Sequence, residues 1–156
     1  MKLPVKIAQF LVSAMLILLP VDLPAQSAQL IDQILGEAQL SYGSAAYLIL
    51  GATGNISEDA TRQDAVETFT ELGMGLPNAE IDDWLTLGQY SLLLMRVLEV
   101  EGGFAYTVSG ESRFAARELA FLGAIQGRAF PGMSIDGARG MRILNRTLEL
   151  REEGRL

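Results

Sequence analysis

Leu122-Gly123-Ala124-Ile125-Gln126-Gly127-Arg128-Ala129-Phe130-Pro131-Gly132-Met133-Ser134-Ile135-Asp136 carries landmarks that occur twice in this chain. Leu72-Gly73 stands fifty residues before Leu122-Gly123, and thirteen residues after each pair comes an apolar residue with a helix-capping one, Leu85-Thr86 and Ile135-Asp136. Each of those dipeptides opens a helical run. The first closes on Arg96-Val97-Leu98 and the second on Arg146-Thr147-Leu148. A period of that length marks a duplicated helix–loop–helix unit, and such units bury their apolar faces by packing on one another.

Working outward, apolar residues recur at three and four, the helical spacing. Leu30, Ile31, Ile34, Leu35 and Ala38 stripe a helix over 28–39, and Leu40 to Thr53 reads as a second helix, apolar nearly all round and closed by Gly51 and Gly54. A third starts at Ser57 or Asp59 and runs to Leu72, with Ala65, Val66, Phe69 and Leu72 inward. A fourth spans 87–100. Phe104 to Val108 reads as a short extended piece. It precedes a helix over 111–122 with Phe114, Leu119, Phe121 and Leu122 in its core, and a last helix reaches Glu152. Ser41, Thr86 and Asp136 hold one place in three units, just before an apolar helix, where a side-chain oxygen accepts from amides two or three residues on. They are assigned as N-caps.

The N-terminus has a different character. Lys2 and Lys6 precede the apolar run Ile7 to Val21, and small residues follow at Ala25, Ser27 and Ala28. Charged start, short apolar stretch and small-residue exit form the layout of a cleaved secretory signal, and the run is short of the roughly 20 residues that span a bilayer. The expectation is a signal peptide over 1–25 cut between Ala25 and Ser27. A single helical domain over 26–156 then follows, its units lying near 28–54 (a half unit), 57–100 and 111–152.

The chain has no cysteine and no histidine and carries a formal charge of −7. Packing rather than disulfides must hold it together, and the usual nucleophilic triads and zinc sites have no residues to use. The acidic balance disfavours nucleic acid as a partner. Glu58, Asp59, Glu80, Asp82 and Asp83 could pair for hydrolysis or calcium. Neighbours in one turn-rich loop are more often a solvated capping cluster, and no Asp-x-Asp-x-Asp-Gly loop occurs. No catalytic residue, metal or cofactor is assigned, and the chain reads as a non-enzymatic protein. Charge is uneven: between 26 and 110 the basic residues are Arg62 and Arg96 alone, whereas the remainder is arginine-rich. Arg113 and Arg117 share one helix face, and Arg139, Arg142 and Arg146 another. Were the two helices antiparallel neighbours, these five would converge on a groove for carboxylate or phosphate. The alternative is pairing with Glu118, Asp136, Glu149 and Glu152.

Arg113 to Leu148 resembles an S-layer homology repeat. Leu119, Leu122-Gly123, Ile125, Gly127, Phe130-Pro131, Ile135-Asp136, Ala138, Ile143-Leu144, Arg146 and Leu148 fall where that family has its signature. Asp64 to Leu98 resembles it more loosely, and Leu40 to Thr53 looks like the second half of another copy. The resemblance implies an all-α fold of about two and a half stacked helix–loop–helix repeats behind the signal peptide. It also implies an exported structural or adaptor protein of the bacterial cell envelope, in the periplasm or beyond, whose partner is an envelope protein or the cell wall and which has no membrane span after cleavage. The family's Thr-Arg-Ala-Glu motif supplies an arginine for an acidic wall polymer. Here its arginine places hold Tyr42, Leu87 and Gly137 and its glutamate places hold Ser44, Gln89 and Arg139. Architecture therefore carries over and the wall-polymer site does not. The C-terminal arginines are left as the alternative route to an anionic glycan or peptide.

Overall fold

The computed structural model describes residues 23–103 and 110–156. The signal-like run Ile7 to Val21 and the extended piece Phe104 to Val108 lie outside the described residues. The described chain is all-α, with six helices: α1 (Leu23–Leu35), α2 (Tyr42–Ala52), α3 (Arg62–Glu71), α4 (Leu87–Val97), α5 (Ser112–Phe121) and α6 (Gly137–Glu152).

The six make three consecutive pairs, and each first helix packs on the second helix of another pair: α3 on α2, α5 on α4, and α1 on α6. The second helices meet in the middle, α2 touching both α4 and α6. Tyr90 in α4, fully buried, donates its hydroxyl to the Gly140 carbonyl of α6 at 2.8 Å. The pairs therefore close on themselves, and α1 with α2 makes a complete first pair where the sequence marks only the second half.

Backbone hydrogen bonds at the helix starts seal the closure. A helix leaves its first amides without internal partners. Here the Tyr42 and Gly43 amides donate to Asp83 and Ile81 carbonyls of the α3–α4 loop, both at 2.8 Å. One pair further on, Leu87 and Gly88 donate to Met133 and Pro131 of the α5–α6 loop, again at 2.8 Å. Gly137 donates to Glu37 at 2.9 Å and Leu40 to Ile135 at 2.8 Å, which returns the chain to its first pair. The loops are long because each must carry its carbonyls to a neighbour's helix start. The approach is close enough to require glycine. A Cβ on Gly43 would lie 2.4 Å from Ile81 Cγ1, and one on Gly137 only 1.6 Å from the Ile34 carbonyl.

Helix ends follow one rule. After α2, α3, α5 and α6 the chain turns through a left-handed glycine, Gly54, Gly73, Gly123 and Gly154, and the glycine's amide and the one after it fold back on the last-turn carbonyls. Four sequence expectations differ in detail, the first being that the first helix spans Leu23–Leu35 rather than 28–39. The third helix starts at Thr61, whose hydroxyl and Asp64 form a reciprocal capping box, rather than at Ser57 or Asp59. Leu72, at the C-cap beyond the last full turn of α3, is 46% exposed, and Phe69 is the buried anchor there. Phe121 is 86% exposed because α5 buries Ala115, Ala116 and Leu119, and residue 121 points the opposite way.

Candidate functional site

Ser41, Thr86 and Asp136 each precede their helix in extended backbone and accept from the amide three residues on: Ser44 at 3.3 Å, Gln89 at 3.3 Å and Arg139 at 2.7 Å. Gln89 completes a capping box with Thr86. In the first pair Glu37 takes that reciprocal role from the other side, accepting the Ser41 amide at 3.0 Å and the Ser44 hydroxyl at 2.5 Å. The residue after each cap, where the resembled family keeps its arginine, is buried. Tyr42 stacks on Phe69 with ring centroids 6.2 Å apart, Leu87 is in the core, and Gly137 lies against the end of α1. A charge at that position would have no way to the surface.

The arginines divide. Arg139, Arg142 and Arg146 line a groove of about 360 Å³ together with Ala124, Gln126 and Glu149. Arg113 and Arg117 do not join it, because α5 packs on α4 rather than on α6. Arg113 pairs with Glu111 at 2.7 Å, and its guanidinium and that of Arg117 sit 4.7 and 5.9 Å from the Phe114 ring centroid. Within the groove the three differ. Arg139 is held by the Arg128 carbonyl and the Met133 sulfur. Arg146 reaches Glu149 at 2.9 Å, and its Nε is buried with no partner among the described residues. Arg142 is exposed and has neither a hydrogen bond nor an ion pair among the described residues.

A second recess lies on the other flank of α6. Tyr47, Leu48, Gly51 and Ala52 of α2, Ile31 of α1, and Met141 and Leu144 of α6 wall a mostly apolar cleft of about 450 Å³. Asn145 lines both recesses. Burial raises the Tyr47 phenol above its ordinary range, so the ring presents a neutral edge. Gly51 stands ten residues after its cap, the position of Arg96 in the second pair and Arg146 in the third. Arg96 turns inward and donates to the Met74 and Gly75 carbonyls at 3.2 and 2.9 Å. Gly51 has no side chain to make such bonds, and it lines the cleft. Periodicity alone did not reveal the cleft, since Tyr47, Leu48 and Gly51 read as one more buried helix. The available signal was the glycine standing in the arginine column.

The acidic loop residues are spent locally or scattered. Asp83 accepts the Glu80 amide at 2.8 Å, and Asp82 lies 3.9 Å from Arg62. Among the described residues no group of three or more acids could hold a metal ion, and no helix is long and apolar enough to cross a membrane. Comparison with family models, curated proteins and solved structures finds no match to the chain.

Proposed function

We propose that this chain is an exported, non-enzymatic structural or adaptor protein of the bacterial cell envelope, built on S-layer-homology-like repeats. The observation that carries the reading is the shared register of its three helix starts. Each has a capping side chain, a buried residue next to it, and first-turn amides given to another pair's loop, in the part of the chain where the resemblance lies. The signal-like start supports export. Trp84, Phe121 and Phe130 are 71%, 86% and 72% exposed, and large exposed aromatics suit a protein that docks others. Fractionating the native host and sequencing the N-terminus of the purified protein tests this. Gln26 or Ala28 as first residue in the envelope fraction is the expected result, and intact Met1 protein in the cytosol overturns it.

The groove formed by Arg139, Arg142 and Arg146 favours a second reading, a module that binds an anionic wall glycan or peptide. Retention on purified sacculi should then fall when Arg142 and Arg146 are replaced by alanine. Equal retention by wild type and variant removes this reading and leaves the first standing.

A further inference from the structure

We propose that the apolar cleft and the arginine groove on either side of α6 form one bipartite site for a long-chain carboxylate, a fatty acid. The proposal rests on the arginine groove taking an anion, and it adds what the rest of the ligand is. Asn145 belongs to both recesses, so a molecule seated in one reaches the other without leaving the protein surface. Charge runs one way along this path. Beyond the cleft, Ser27 and Glu58 lead into a smaller recess with Asp59 and Arg62, two acids against one base, while the opposite groove sets three arginines against Glu149, and Arg142 has no ion pair among the described residues. A ligand with one anionic end is therefore oriented with its head at Arg142 and its tail in the cleft.

The walls say what the tail is. They are mainly helices α1, α2 and α6, whose backbone groups are committed to their own turns, joined by Ile56, Ser57 and Glu58 of the α2–α3 loop, so they offer a peptide main chain no strand edge to pair with. A peptide or glycan in the cleft would lose hydrogen bonds to water and regain few, whereas an alkyl chain loses none and gains burial against Tyr47, Leu48, Met141 and Leu144. In the second pair the residue at the Gly51 position, Arg96, is tied to the Met74 and Gly75 carbonyls. The first pair has Gly51 there, and a Cβ added at Gly51 meets no atom within 4 Å.

Calorimetric titration of the protein purified from its envelope fraction, with dodecanoate, dodecanol and lauroyl lysophosphatidylglycerol kept below their micelle concentrations, provides the test. Dodecanoate should bind about tenfold or more tightly than dodecanol, the range of a charge-assisted hydrogen bond. Arg142→Gln should bring the two together. Gly51→Arg should abolish dodecanoate binding at an unchanged or higher melting temperature, and Gly51→Ala should retain it. If Gly51→Arg fails to fold, Arg142→Gln, an exposed change, carries the decision alone. Equal affinity for acid and alcohol overturns the proposal together with the anion reading of the groove. Loss of sacculus retention in the arginine variant beside undiminished dodecanoate binding in Gly51→Arg overturns the proposal and spares that reading. Tighter binding of the lysolipid assigns the site to membrane lipid and overturns the fatty-acid assignment.

Discussion

Glu99 sits at φ 51°, the left-handed position after α4 that glycine fills after four other helices. Its amide and that of Val100 still close on the Arg96 and Met95 carbonyls, at 3.3 and 3.0 Å, so the turn forms in spite of the side chain. A residue with a Cβ pays roughly 1–2 kcal/mol there, and glycine gives part of that back as unfolded-chain entropy. Glu99→Gly should raise stability by about 0.5–1 kcal/mol in urea denaturation. A loss would mean that Glu99 has a role in the folded state beyond its backbone. Phe69 and Leu72 make a second residue-scale contrast, the first fully buried and the second 46% exposed. Phe69→Ala should cost about 3–5 kcal/mol and Leu72→Ala under about 1 kcal/mol. Similar costs would place Leu72 back in the core. Its sequence position before a helix-ending glycine marked a helix end correctly but could not say which side chain of the last turn pointed inward.

At the scale of elements, the helix starts were the most legible feature. A cap needs a short oxygen-bearing side chain at one place, and Ser41, Thr61, Thr86 and Asp136 all sit at such places. Thr61 was overlooked because Ser57 and Asp59 offered the same chemistry a few residues earlier, and only packing of Ala65 and Phe69 on α2 chooses among them. The α3 start also titrates. Bonds from the Thr61 amide and hydroxyl, both at 2.7 Å, stabilise the Asp64 carboxylate and lower its pKa. A carboxyl depressed in the folded state contributes stability that is complete above its unfolded value, near about 4, and is lost as pH falls through the lower folded value. Protection of the α3 amides, measured against the exchange rate of an unstructured chain at the same pH, should therefore fall selectively on acidification below about pH 4, and Asp64→Asn should flatten that dependence. An unchanged profile in the variant would assign the acid response elsewhere.

For the whole molecule, the fifty-residue period revealed repetition but not closure. A period records that units share a register, and both an open stack and a closed triangle satisfy it. What separates them is a set of backbone bonds from Leu40, Gly137 and their neighbours, made by atoms common to every residue. Gly137 was visible as a glycine inside a helix, yet its reason is the Ile34 carbonyl arriving from the far end of the domain. Gly137→Ala should force that seam apart and lower stability by about 1–3 kcal/mol or more, with a matched loss of amide protection in α1 and α6. Gly51→Ala, in a helix with open space around it, should be neutral or stabilising by up to about 1 kcal/mol. The arginine site was half legible for the same reason. Spacing put Arg139, Arg142 and Arg146 on one face, but which helix lay opposite depended on the closure.

A closed triangle of helix pairs has no free end, so its copy number is frozen. An open array lengthens or shortens by one unit through recombination, because each internal unit meets the same neighbours. Here a fourth unit would have to break a seam between existing pairs, and a lost unit would strand two. At the one position ten residues after each cap, the second pair has Arg96 bonded inward, the third has Arg146 half-buried beside Glu149 and the first has Gly51, so three similar frames carry three different surfaces.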